Sequence, residues 1–155
     1  MLIREFTLPD WPGVWMIIRS VVRAGRTFPY DPELTEAQAR DMWIERPPDR
    51  TVVAVDGDRV LGTAKMGANR AGPGAHISTA SFMVAATARG RGVGTALCAH
   101  ALDWARGRGF AGMQFNAVVQ TNRTAVELYQ RLGFTVLGTV PGRSSIRSTA
   151  GWGCT

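Results

Sequence analysis

Cysteine and histidine are scarce in this chain, with two of each among 155 residues. Cys98 and Cys154 are too few for a disulfide framework. Neither they nor His76 and His100 stand at ligand spacing from one another or from a carboxylate pair, so no metal site is expected. No apolar run approaches the ~20 residues that span a bilayer, and MLIREFTLPDW lacks the apolar centre and cleavage site of a secretory signal. The expectation is a cytoplasmic protein with no membrane partner. No glycine–lysine pair occurs anywhere, which excludes a Walker A phosphate loop. Acidic residues are the minority charge, 12 against 18 Lys and Arg, and the net charge is +6.

Nearly all of those cations are arginine, whose planar fork suits phosphate and carboxylate. An anionic partner, either nucleic acid or a phosphorylated small molecule, would fit that balance; so would a merely solubilising surface. The arginines are not interleaved with stacking aromatics on one strand face, so no nucleic-acid partner is expected. Hydrophobic residues make up 45% and charged residues 19%, the proportions of a globular protein long enough to bury a core. Without repeat, linker or composition break, residues 1–155 read as a single domain.

Hydrophobic periodicity orders the chain as follows. A strand over Leu2–Phe6 precedes a helix from Pro9-Asp10 to about Ala24, stopped by Gly25. The loop GRTFPYDPEL sets Phe28 and Tyr30 between prolines, and Thr35 caps a second helix over Glu36–Glu45. Thr51–Val55 and Arg59–Met66 form a hairpin about Asp56-Gly57. Ile77–Val84 is a further strand. A helix from Val93 or Gly94 to about Arg106, a strand over Met113–Val119, a helix over Asn122–Leu132 and a strand over Phe134–Val140 complete an α+β fold with a mixed sheet.

Between the fourth strand and the third helix lies ARGRGVGTALC. A helix start with bare glycine amides and two permanent cations is built like a phosphate cradle, although a glycine-rich turn without a ligand has the same composition. It is not a dinucleotide fingerprint: counted from Gly90 the third glycine position holds Thr95, and from Gly92 it holds Leu97. In Asn122–Leu132, Ala125, Leu128 and Leu132 read as core. Asn122 could be only a cap and Tyr129 only a buried aromatic. Cys98, one turn into the preceding helix, reads as core packing, since no His–Asp set accompanies it.

The segment Arg89-Gly90-Arg91-Gly92-Val93-Gly94 fits [QR]-x-x-G-x-[GA] and resembles the acetyl-CoA pyrophosphate loop of the GNAT (GCN5-related) N-acetyltransferases. The stretch from Asn122 to Phe134, NRTAVELYQRLGF, is similar to that family's N-x-x-A-x-x-L-Y-x-x-x-G-F helix, at the family's spacing from the loop. The resemblance spans residues 1–141 and implies a single-domain fold with a mostly antiparallel central sheet flanked by helices. It implies acetyl-CoA as cosubstrate, with no metal, and direct transfer of acetyl to an amine. By position it gives the amides of Gly90–Thr95, flanked by Arg89 and Arg91, to the pyrophosphate. Met83 and Val84 would pair with the pantetheine arm, and Asn122 would contact the cofactor. The Val84 N–H would polarise the thioester carbonyl, and Tyr129 would protonate the departing sulfur.

RTFPYDPEL, QFNAVVQTN and the PG after the last strand look like the branch that N-acetylates small amines, including amino acids and phosphinothricin-type herbicides. Candidate acceptor-side residues are Phe28, Tyr30, Glu33, His76 and Asn116. No general base is identifiable, because neither Ile77–Val84 nor Met113–Val119 contains a carboxylate. An acetyl-CoA-binding module without efficient transfer and a basic nucleic-acid-binding protein are the rival readings. The family ends on a β-hairpin, whereas residues 142–155 here are polar, small and without alternation. The expectation is an atypical tail, a missing final strand, and an exposed strand edge that could support a homodimer.

Overall fold

The helix ends follow local chemistry. In the computed structural model, which describes residues 1–140 and the backbone of 146–150, α1 (Trp11–Ala24) stops at Gly25, whose φ of 60° only glycine adopts readily. α2 (Glu36–Trp43) opens on a capping box: Thr35 N–H donates to Gln38 Oε1 at 3.0 Å, and Gln38 N–H donates to Thr35 Oγ1 at 3.3 Å. α3 covers Val93–Gly107 and α4 covers Arg123–Arg131. Among the described residues no helix is long and apolar enough to cross a membrane.

Five strands, β1 (Leu2–Glu5), β2 (Arg50–Asp56), β3 (Arg59–Ala68), β4 (Ile77–Val84) and β5 (Gly112–Met113), form one sheet in that order. All neighbours are antiparallel except β4 and β5. The β2–β3 turn falls on Gly57 and Asp58, one residue later than the sequence suggests. Both faces of β2 are covered, which explains its unbroken apolar run: Val52 and Ala54 join the core beneath α3, while Val53 and Val55 join a second core with α1 and α2.

Three expectations need correction. Met113–Val119 is not one strand. Gly112 and Met113 pair with Ile77 and Ser78, whereas β6 (Phe115–Val119) turns away into a second sheet. The final strand is present: β8 (Ile146–Ala150) lies between β6 and β7 (Thr135–Thr139), antiparallel to both. Ladder bonds on two sides hold a short polar segment extended without apolar alternation, and β7 gains a partner along one edge. The rest of the tail lies outside the described residues. Finally, Ala125, Leu128 and Leu132 are half-buried rather than core, since α4 covers one flank of the molecule and no residue of it is fully buried.

Candidate active site

The departure of β6 opens β4 along one side. Ala85 N–H donates to Leu61 O at 2.8 Å and Asn69 N–H to Ile77 O at 2.7 Å, so odd-numbered residues turn their main chain toward β3. Even-numbered residues turn theirs the other way, as Ser78 O shows by accepting from Gln114 N–H at 2.9 Å. Past Ser78 no strand among the described residues pairs on that side. Among the described residues no hydrogen bond reaches the main chain of Ala80, Phe82 or Val84 there. These groups form a vacant ladder into which an extended amide-bearing chain could pair. The parity keeps Val84 at the opening but removes Met83, whose main chain faces Thr63 and whose side chain is buried against the second core. Phe82 takes its place; strand parity was the signal that could have found it.

At the end of this ladder begins α3. Its first intrahelical bond runs from Ala96 N–H to Gly92 O at 3.0 Å, leaving the amides of Val93, Gly94 and Thr95 without intrahelical acceptors. Gly90 and Gly92 have φ of 74° and 76°, and a Cβ on either would meet nothing within 4 Å. They are glycine because the backbone is left-handed there, and the space above them is open. Val93 is buried and anchors the turn. The loop is tied to the β2–β3 hairpin by Arg59 Nη2 donating to Thr87 Oγ1 at 2.7 Å and by Arg91 paired with Asp56 at 3.2 Å. Arg89 is exposed. A Cβ on Gly94 would touch Val84 Cγ2 at 3.7 Å and Leu128 Cδ2 at 3.9 Å, so the helix start, the vacant ladder and α4 converge on one point.

α4 also carries Tyr129, which packs beside Phe82 of the vacant ladder. Its ring lies 4.5 Å from Phe115, 5.8 Å from Phe134 and 6.3 Å from Phe82, centroid to centroid. Burial, and secondarily the nearby Cys98 thiol, hold the Tyr129 hydroxyl well above the usual tyrosine range, so it stays protonated and able to donate. Cys98 is fully buried and its thiol is pushed up to about 12 by desolvation, which keeps it inert as a nucleophile. Asn122 caps α4, accepting from Ala125 N–H at 3.4 Å through Oδ1; its amide NH2 remains as a donor.

The acceptor-side candidates divide. Phe28 and Tyr30 stack at 5.3 Å, with Phe28 edge-on to Trp43, and both pack on the α1–α2 core. Glu33 lines a small pocket of about 80 Å³ with Trp15 and Arg19 on the outside of α1. His76 is exposed, its Nδ1 3.0 Å from Pro73 O. It precedes β4 and stands eight residues from Val84, roughly 26 Å along an extended strand. The structure does not bring it to Tyr129. Asn116 is exposed and bonded to Asn69 and Gln114, which is its outward-edge reading.

The profile of the Acetyltransferase (GNAT) family matches residues 11–134. A GCN5-related N-acetyltransferase from Kribbella flavida is 49% identical, with a TM-score of 0.94 over 99% of this chain and 97% of that one. The N-acetyltransferase aca1 of Schizosaccharomyces pombe is 26% identical over 146 residues, covering 84% of this chain and 70% of that protein. A phosphinothricin acetyltransferase from Sinorhizobium meliloti, solved in complex with acetyl-CoA, shares the fold with a TM-score of 0.84 at 23% identity, over 98% of this chain and 87% of that one. With a glycine-rich helix start, an opened fourth strand and a tyrosine-bearing helix in one place, the chain belongs to the GNAT family and is an N-acetyltransferase.

Proposed function

We propose that this protein transfers acetyl from acetyl-CoA to the primary amine of a small molecule of the amino-acid or phosphinothricin type. The observation that carries the reading is the convergence of the vacant β4 ladder, the α3 amides and α4 at Gly94, with the Tyr129 ring packed beside Phe82 of that ladder. The α3 amides and the helix dipole would hold the pyrophosphate, with Arg89 balancing its charge. Phe82 and Val84 would pair with the pantetheine amides. Their N–H groups donate toward a carbonyl oxygen that gains negative charge during attack. Tyr129 lies beside Phe82 and, being protonated across the working pH range, supplies the donor for the departing sulfur. The Asn122 amide NH2 is a further donor toward the cofactor. The phosphinothricin acetyltransferase with this fold favours the small-amine acceptor class.

Thermal unfolding with and without acetyl-CoA is the first test. At a hundredfold excess over Kd, binding should add ~2.7 kcal/mol, roughly 5–10 °C for a chain of this size. Release of CoA thiol across a panel of amino acids, phosphinothricin and simple amines follows. No protection by acetyl-CoA overturns the reading. Protection without thiol release leaves a binding module.

A further inference from the structure

The β4 and β6 sequences lack a carboxylate, but the residue that precedes β2 brings one beside β3. On the α1–α2 side of the sheet, Asp49 extends the β2–β3 register, in which Arg50 faces Met66, and so stands across from Gly67. A Cβ on Gly67 would lie 2.5 Å from Asp49 Oδ2 and 2.6 Å from Oδ1. The carboxylate therefore lies over Gly67, in space that any other residue would fill. Gly67 is in turn the partner of Thr79 on β4, at a cross-strand side-chain distance of about 5 Å.

Asp49 is half-buried, yet among the described residues no hydrogen bond or ion pair reaches its carboxylate. Its neighbour Lys65 is already committed to Glu45 at 3.2 Å and to Met42 O at 2.7 Å. A partly desolvated carboxylate without a partner is costly unless a ligand supplies one. On the same face of β4, Thr79 and Ser81 are both half-buried. Their hydroxyls step about 7 Å apart toward Phe82.

Building on the transferase reading above, we infer that Asp49 is the general base for the acceptor amine, acting through a short chain of waters held in turn by the Thr79 and Ser81 hydroxyls. The amine arrives as an ammonium attracted by the carboxylate, and its proton passes along those waters to Asp49. The freed nitrogen forms a bond to the acetyl carbon. The carbon–sulfur bond breaks as the tetrahedral carbon collapses, and the thiolate takes its proton from Tyr129. The bonded nitrogen gives up its remaining extra proton through water to restore the Tyr129 hydroxyl, leaving a neutral amide.

The test is steady-state thiol release by wild type, Asp49→Asn, Asp49→Glu and Gly67→Ala, alongside thermal protection by acetyl-CoA. Asp49→Asn should lose about 100-fold or more in kcat, with the KM for acetyl-CoA and its protection unchanged. Asp49→Glu should recover part of that loss. Gly67→Ala, which displaces the carboxylate without removing its charge, should lower kcat in the same direction. An Asp49→Asn enzyme within threefold of wild type overturns this assignment alone. Wild-type protein that releases no thiol with any amine overturns the transferase reading and this assignment together.

Discussion

Replacing Gly62 by alanine measures how tightly the glycine-bearing start of α3 is tied to the core. Gly62 is buried on β3 opposite Val84. A Cβ there would lie 2.9 Å from Val93 Cγ1, 3.0 Å from Leu97 Cδ1 and 3.1 Å from the Met83 carbonyl oxygen. Val93 and Leu97 are 1% and 0% exposed, so neither has room to rotate away. Overpacking of this kind costs about 1–3 kcal/mol, and loss of glycine freedom in the unfolded chain offsets about 0.4–1 kcal/mol of that. The net loss is about 1–2 kcal/mol, a fall of roughly 2–8 °C in Tm. Relief requires Val93 to move outward, and Val93 opens the helix whose amides are proposed to hold the pyrophosphate. Protection by acetyl-CoA should therefore shrink as well, by up to about 1.4 kcal/mol for a tenfold weaker Kd. Scanning calorimetry at fixed acetyl-CoA reads both effects. Gly107→Ala is the control: a Cβ there meets nothing within 4 Å, so stability should hold or rise by up to about 1 kcal/mol. A Gly62→Ala protein with unchanged Tm and unchanged protection would refute the coupling.

Other outcomes follow from the same geometry. Tyr129→Phe keeps the aromatic contacts and removes only the hydroxyl, so kcat should fall about 100-fold while acetyl-CoA protection persists; unchanged turnover would remove the donor role. Asp10 is held at about 2, below its ordinary 3.8, first by its bonds to Arg4 at 2.7 and 2.8 Å and then by Thr7. A lowered pKa contributes stability above pH 3.8 that is lost as pH falls toward about 2. Asp10→Asn should therefore cost about 1–2 kcal/mol near neutrality, discounted for the partly exposed Arg4, and flatten the acid limb of Tm against pH. In a Cys154→Ser background, Cys98 should react with a maleimide no faster than the protein unfolds, because its thiol is buried and protonated; fast labelling under native conditions would contradict that burial.

Much of the site was legible because its parts are local. Gly90 and Gly92 are read from the chain as backbone requirements, and their positive φ values bear that out. Gly25 and Gly133 likewise mark helix ends with φ of 60° and 90°. The Thr35 cap and the bounds of β4 depend on neighbours within a few residues, and each agrees with the sequence reading. Met83 fails for a different reason. Whether an amide faces β3 or the opening depends on register with a strand some twenty residues earlier, which no local pattern states. His76 belongs to the same strand region as Val84, but extended geometry separates them. The relation of Asp49 to Gly67 and Thr79 spans three neighbouring segments of the sheet, which no local pattern states either.

The sequence by itself determined the elements, the glycine-bearing helix start and the tyrosine helix, since these rest on short-range dihedral, capping and amphipathic preferences. Only the tertiary structure decided where β6 parts from β4, that a polar tail segment becomes the strand between β6 and β7, and which β4 amides are left vacant. It also decided that Asp49 overlies Gly67. Those outcomes come from pairing between distant segments, where register sets the direction of every main-chain group and one residue of slip would reverse it.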